Sequence, residues 1–577
     1  MPLKLKILSK VKQIGALLNF HSHTDGRRRF LRNLGIGTVT APLLIKGLTS
    51  PREAYADWRR GNGDRAERTY QIRMRLAQRV LRRRVNNHRT NRDERDFAPA
   101  FSYTKVLFNK DAFGEVVPSN YQSLRQAIRQ GRFNRFENTV ATGAKGLKNP
   151  LASHAYDLKG FDSSQQRLPR PPSIRSSAVA AEMAELYWQA LCRDIHFSDY
   201  EQDATISDAA NDLSAHYSDS DWPLHLGGVS PSIIFRGNSA GELTGPYVSQ
   251  FLYLDIVSGT LRHQQKQTTA LPGSDWMTNY NFWLPRQRGM DEGNLKAEDP
   301  TPRYIRNGRD LASYVQIDRT YQPYLNAFYV LYDNLKAPYD HGNPYANAIT
   351  MDGFSTFDYP HVMSTLAEVS NRALRAAWFQ KWIVHRRLRP EEFGGRVHNH
   401  TTGAKLYPML SDEITHSEVL ERIYMHNADI SGQFPGNAAS FLLPQAYPEG
   451  SPNHPAYPSG HAAMAGACVT ILKAFFNEEY VIPAPMVPNS DGTELVSYTG
   501  PGSSQLTVGG ELNKLAMNIS MARNWAGIHW RSDLTAGLLL GERIALQSLR
   551  EERTLYTERR QNTFHITRFN GSPVTIS

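Results

Sequence analysis

The chain of 577 residues has only two cysteines, Cys192 and Cys468. That is too few for a disulfide framework, and it neither requires nor excludes an oxidising compartment. No run of about 18 apolar residues occurs, so no transmembrane helix is expected. Internal repeats and low-complexity tracts are missing, and strand signals are scarce. A one-signed charge excess is also missing from most of the chain. The net charge is +11, but residues 1–56 carry ten Lys/Arg against Asp25 and Glu53, which is +8 of that total. A body left at +3 argues against general binding of nucleic acid or of a membrane surface. What remains is ordinary for a globular protein, with 40% hydrophobic and 21% charged residues.

The basic start reads as an address. Arg27 to Arg32, RRRFLR, matches a twin-arginine export signal, a mildly apolar stretch Leu34–Ile45 follows, and Ala54-Tyr55-Ala56 offers a small-x-small cleavage site. Residues 1–56 are therefore expected to be an export leader to the periplasm or cell envelope. The arginine-rich stretch Arg73–Arg89 has helical spacing and reads as a solvated or oligomer-facing helix. Helical patterns cover 178–192, 321–335, 361–387, 462–476, 512–526 and 533–550. Long Gly/Pro/Asn/Ser-rich connections at 218–250, 265–303 and 484–510 separate them, and loops of that length usually carry function or subunit contacts. A soft boundary is placed near residue 315, giving an N-terminal helical region 57–315 and a C-terminal helical region 316–577 that holds every chemistry-bearing segment.

Three segments carry that chemistry. In KWIVHRRLRPEEFGG, Lys381 and Arg389 lie eight apart, about 80° from the same helical face. Pro390 disfavours helical backbone at Arg389, so the helix is expected to end there and let both cations converge. In HPAYPSGHAAMAGA, His454 to Ala467, a Pro-Ser-Gly turn opens a helix whose free N–H groups attract an oxyanion, with Ser459 and Gly460 as neutral donors and His461 as a proton-transfer candidate. In ARNWAGIHWRSD, Ala522 to Asp533, Arg523 adds a cation and Gly527 gives room. Asp533, four beyond His529, can take its Nδ1 proton if the helix continues, leaving Nε2 as the basic nitrogen. Singly, these segments read as a basic helix end, a capped helix and a satisfied core histidine. Together they put three cations in one place, which is costly unless an anion of high charge sits between them. A tetrahedral oxyanion, phosphate or vanadate, meets that need.

Lys-spacer-Arg-Pro, Pro-Ser-Gly-His and Arg-spacer-Gly-x-His-x-x-x-Asp together resemble the signature shared by vanadium-dependent haloperoxidases and type-2 phosphatidic acid phosphatases. The seven-residue spacer between Lys381 and Arg389 is similar to that of the long algal and cyanobacterial bromoperoxidases, whereas the phosphatases typically use six. HRRLRPE, NRALRAAWFQKW and PAFSYTKVLFNKDAFGEV (Pro99–Val116) also resemble that group, so the likeness runs from roughly residue 90 to 550. Ala522 stands where many members have Ser, at the loss of one hydrogen bond.

The resemblance implies a mainly α fold of two packed four-helix bundles with long loops. It implies vanadate as cofactor, bound to His529 with Asp533 behind it and held by Lys381, Arg389, Ser459, Gly460 and Arg523. Hydrogen peroxide would be activated there, with Lys381 polarising it and His461 moving the proton, and halide would be oxidised and passed to an organic acceptor. His454 matches the place where bromoperoxidases have His and chloroperoxidases Phe. Trp378 resembles the brown-algal pattern, where red-algal members have Arg. Bromide, with iodide easier still, is the expected halide. A homo-oligomer from dimer to dodecamer is implied, and calcium supports some red-algal-type assemblies. Tyr339–Gly353 offers oxygen ligands for calcium without a residue assignment. The rival is an exported acid phosphatase of the same superfamily, with His529 as phosphohistidine nucleophile and His461 as the acid. A non-enzymatic oxyanion or nucleic-acid binder is a third reading, and it leaves His529–Asp533 and His461 without a purpose.

Overall fold

The helix starts are written locally. Ser176, Ser459 and Thr507 each turn a side-chain oxygen onto a free N–H of the first turn, at Val179, Ala462 and Gly510 respectively. They open α1 (Ser177–Leu191), α5 (Gly460–Phe475) and α6 (Val508–Trp525). Between them come α2 (Gly308–Tyr314), α3 (Tyr359–Phe379) and α4 (Pro390–Thr401), and α7 (Arg531–Glu552) follows. The computed structural model describes residues 65–577 apart from 86, 108–109, 139–145, 217–227, 291–296, 432–437 and 561. The expected export leader lies outside them.

By internal contacts the chain divides into Met1–Met74 and Arg75–Ser577. The stretch Arg73–Arg89, expected to be a solvated or oligomer-facing helix, is helical only as far as Arg82, and the helix Arg65–Arg82 has no buried residue. Every residue of α5 except His461 is buried, and α5 packs against α3, α6 and α7. It crosses α7 with backbones almost touching, since a Cβ at Gly541 would lie 2.0 Å from the Ala463 carbonyl. Only glycine fits there. A second helical group gathers around α1, which packs against Ala204–His216, Asp412–Thr415, Glu418–Ser431 and α6. Helices from both sides of residue 315 share one core, because α2 packs on α6.

Among the described residues the strands form three antiparallel hairpins: β1 (Ile256–Ser258) with β2 (Leu261–His263), β3 (Met486–Pro488) with β4 (Leu495–Ser497), and β5 (Phe564–Thr567) with β6 (Pro573–Ile576). No described helix is long and apolar enough to cross a membrane.

Two local expectations need correction. The helix expected to end at Arg389 ends sooner: α3 widens into a π-helical turn at Gln380–His385 and stops at Arg386, whose φ is +42°. Arg389 instead caps the next helix in extended backbone, and Pro390 takes its first position, where a missing N–H costs nothing. The helix carrying Arg523 likewise does not continue to Asp533. It ends at Trp525, and His529 lies in the turn before α7.

Candidate oxyanion site

Three chain segments are stitched together at one point by backbone carbonyls. Lys381 donates from Nζ to the carbonyls of Pro455 and Ala456, both at 2.7 Å. Arg389 donates to His454 O at 2.9 Å and to Ile528 O at 2.7 Å. The Ser459 N–H, at the entrance to α5, donates to Asp533 O in the first turn of α7 at 2.9 Å. The three motifs, scattered over some 150 positions of sequence, thus share one polar focus inside the helical core.

His529 sits at that focus. Its Nδ1 lies 2.7 Å from Asp533 Oδ2, which also accepts the Trp530 N–H at 3.0 Å. The expected pairing therefore forms, by Asp533 reaching back from the third position of α7 rather than along one continuous helix. Gly527, at φ +79°, makes the turn that brings His529 round, and a Cβ there would lie 2.6 Å from Gln445 Nε2. With Nδ1–H held by the carboxylate, Nε2 keeps its lone pair, and Arg389 Nη1 approaches it at 3.0 Å. Burial, then the positive charges of Arg389, Lys381 and Arg523, hold the imidazole well below its usual range, so it is neutral.

The same charges act on one another. Burial, then Arg389, push the Lys381 ammonium well below its ordinary range. Burial brings Arg389 down to about 10, with Arg523 adding to the fall against the pull of Asp533. His454 is buried, is pressed well below its usual range by burial and then by Arg389 and Lys381, and lies 2.9 Å through Nδ1 from Arg389 Nη2. Arg523 donates to Val315 O, while its buried Nε has no partner. Among the described residues no carboxylate lies within ion-pair distance of Lys381, Arg389 or Arg523. Buried cations normally have such a partner. A cation trio satisfied by carbonyls, with a guanidinium nitrogen left over, fits a multiply charged oxyanion supplied from outside.

The remaining expected residues border this focus. Ser459 is fully buried and caps α5, and Gly460 begins it. A Cβ on Gly460 would meet Leu374 Cδ1 and Trp378 Cζ3 at 3.1 Å, so the backbone here packs closely under the Trp378 indole. Trp378 is half-buried, stacks obliquely on His454 with ring centres 4.7 Å apart, and lies 5.8 Å from Lys381 Nζ. His461 is also half-buried, with Nε2 held by Asp318 at 3.0 Å. Burial lowers its pKa, Asp318 opposes that fall, and Arg523 reinforces it. Asp318, the partner of His461, also lines a cleft of about 290 Å³ bounded by Tyr314, Gln316, Trp276 and Ala446.

A family model described as the VCPO second helical-bundle domain matches residues 437–558, which hold the second and third segments. The vanadium-dependent bromoperoxidase of Corallina officinalis is 33% identical over 559 residues, covering 84% of this chain and 93% of the relative. That of Ascophyllum nodosum is 33% identical over 532 residues, covering 89% and 92%. The chain belongs to the vanadium-dependent bromoperoxidases. A second vanadate-dependent bromoperoxidase of Ascophyllum nodosum, solved as a homohexamer, superposes with a TM-score of 0.83 at 29% identity over 95% of both chains. The mainly α fold expected from the motifs is the fold of this bromoperoxidase family.

Two functional neighbours escaped the sequence reading. Asp318 sits in a loop, YVQIDRT, with no motif around it, and nothing in the sequence marks it as the partner of His461. Arg387 lies inside HRRLRPE but looked like one of several arginines. Its Nη1 donates to Asp533 Oδ1 at 2.8 Å, so the carboxylate behind His529 is itself held by a guanidinium.

Proposed function

We propose that this bromoperoxidase-family chain oxidises bromide, and iodide more readily, with hydrogen peroxide and a vanadate cofactor, passing the oxidised halogen to organic acceptors. The observation that carries this reading is the trio Lys381, Arg389 and Arg523, buried beside a neutral His529, none of the three having a carboxylate at ion-pair distance among the described residues. Bound vanadate supplies a Lewis acid that activates peroxide toward halide without changing oxidation state. The chain supplies the rest. His529 offers Nε2 as metal ligand, and Asp533 fixes its tautomer. Lys381, Arg389, Arg523, Ser459 and the Gly460 N–H offset the anion's charge, preorganised before anything binds. Burial and then the neighbouring Arg389 depress the Lys381 pKa, and an anion bound beside it favours the charged ammonium. His461, anchored through Nε2 by Asp318, keeps Nδ1 for proton transfer. His454 and Trp378, stacked together, form the wall on which halide choice depends.

The same reading includes export to the periplasm or cell envelope, supported by the Arg27–Arg32 motif and Ala54-Tyr55-Ala56. It includes a homo-oligomer, supported by the homohexameric relative and by Ile349, Met351 and Phe354, which stand 98%, 65% and 74% exposed on one loop. Calcium as a second cofactor is supported only by the oxygen-rich composition of Tyr339–Gly353.

One pair of assays tests the reading. Purified protein given vanadate, peroxide and bromide is expected to brominate an organic acceptor, and the rate to vanish when phosphate replaces vanadate. Release of phosphate from an ester with no vanadate-dependent bromination would instead establish the phosphatase chemistry.

A further inference from the structure

At the far end of α5 a different set of ligand atoms comes together. Asp340 donates its backbone N–H to the carbonyl of Phe475, the last residue of α5. The fifteen residues separating this point from Gly460 put it about 22 Å from the oxyanion site, at 1.5 Å of rise per residue. Asp340 is buried, with Oδ1 accepting the Gly342 N–H at 2.9 Å. His565, on β5, places Nδ1 2.9 Å from Asp340 Oδ1, and His341 places Nδ1 3.3 Å from Oδ2. The two imidazole rings are parallel within 13°, with centres 4.0 Å apart. One potential ligand atom from each of the three side chains lies within 4.8 Å of the other two. His341 and His565 come from places 224 residues apart and meet only because the C-terminal hairpin docks here. The Thr563 N–H donates to Gly342 O at 3.0 Å, and a Cβ on Gly342 would lie 1.9 Å from Thr563 O.

We propose that Asp340, His341 and His565 form a site for one divalent first-row transition ion, zinc by preference, that clamps the C-terminal hairpin onto the Asp340–Gly342 loop ahead of α3. Two imidazoles and one carboxylate suit zinc and its neighbours, whereas calcium takes oxygen ligands throughout. Ligand atoms about 2.0–2.1 Å from a tetrahedral zinc stand roughly 3.3 Å apart, which is the spacing His341 and Asp340 already have. His565 Nδ1 lies against the other oxygen, Oδ1, so ion binding turns the stacked rings out of parallel and exchanges the His565 hydrogen bond to Oδ1 for a metal bond. Gly342 N–H then remains as the outer-shell partner that orients the carboxylate. His341, with 78% of its side chain exposed, leaves the fourth position open to water.

The test uses the full chain loaded with vanadate, so that His529 is occupied, and zinc alone as the probe. Equilibrium dialysis against chelator-buffered zinc, with elemental analysis, is expected to give one zinc per chain. Losing even an outer-shell partner costs roughly 10- to 100-fold in metal affinity, so His341→Ala and His565→Ala are each expected to weaken binding at least that much. Zinc is also expected to raise the melting temperature of the parent and not of His341→Ala/His565→Ala. Both histidines are away from the core, and bromination activity of the double variant reports that it folds. Failure of the parent to retain zinc, or equal retention by the double variant, overturns the site.

Discussion

Arg386, Arg387 and Arg389 stand within four residues of one another, and their surroundings are opposite. Arg386 is forked onto the Glu94 carboxylate, and against the penalty of burial that contact holds its pKa above the usual value. Arg387 lies between Asp533 and Glu182, which likewise outweigh burial. Arg389 has carbonyls and imidazoles as partners and a second guanidinium nearby, and falls to about 10. The first two are complete ion pairs that hold the fold. The third is half of an ion pair. On the proposed function its missing half is the anion, and the difference would separate a structural cation from a binding one where residue type does not.

The largest expected effect falls on the ligand itself. His529→Ala should abolish vanadate-dependent bromination and vanadate binding together, whereas His461→Ala should mainly lower kcat and leave binding measurable. Full activity in His529→Ala would remove the ligand assignment. Next comes the arginine contrast. Arg389→Met should cut kcat by about 10²–10³, the usual cost of one preorganised donor, while leaving the vanadate-free protein as stable as before or more so. Arg387→Met strands the Asp533 and Glu182 carboxylates and should cost about 3–5 kcal/mol of stability by denaturant titration. Equal destabilisation by both variants would break the comparison.

A smaller effect belongs to pH. His385, beside this cluster, is buried and brought down to about 3 by burial and then by Arg386. Its folded pKa is below its unfolded value, so the unfolded chain binds the extra proton and stability falls as pH drops from about 6.5 toward 3. At pH 5 that loss is about 2 kcal/mol from this one group. The His385→Gln variant should show a shallower decline in melting temperature between pH 7 and pH 5 than the parent. The smallest expected change is in selectivity. His454→Phe should shift the ratio of chloride to bromide oxidation upward with little effect on folding, as read by the two halide rates under one vanadate concentration. An unchanged ratio would separate His454 from halide choice.

Much of the site was legible because its chemistry is local. Ser459 before a run of small residues had to cap a helix, Gly527 had to leave room for a close approach, and Pro390 had to keep Arg389 out of helical backbone, although the helix that Pro390 itself opens was not foreseen. Four-residue spacing paired His529 with Asp533, although the pairing crosses a turn. The partners of the charges were not legible. Asp318 reaches His461 across 143 positions, Glu94 reaches Arg386 across 292, and Glu182 reaches Arg387 across 205.

The sequence by itself determined the donors, their order along the chain and the helices that carry them, since capping, turn geometry and helical period act over a few residues. Only the tertiary structure decided which cations are neutralised within the protein. Coulomb interaction in a buried site depends on distance through space, and distance through space is set by how the helices close on one another.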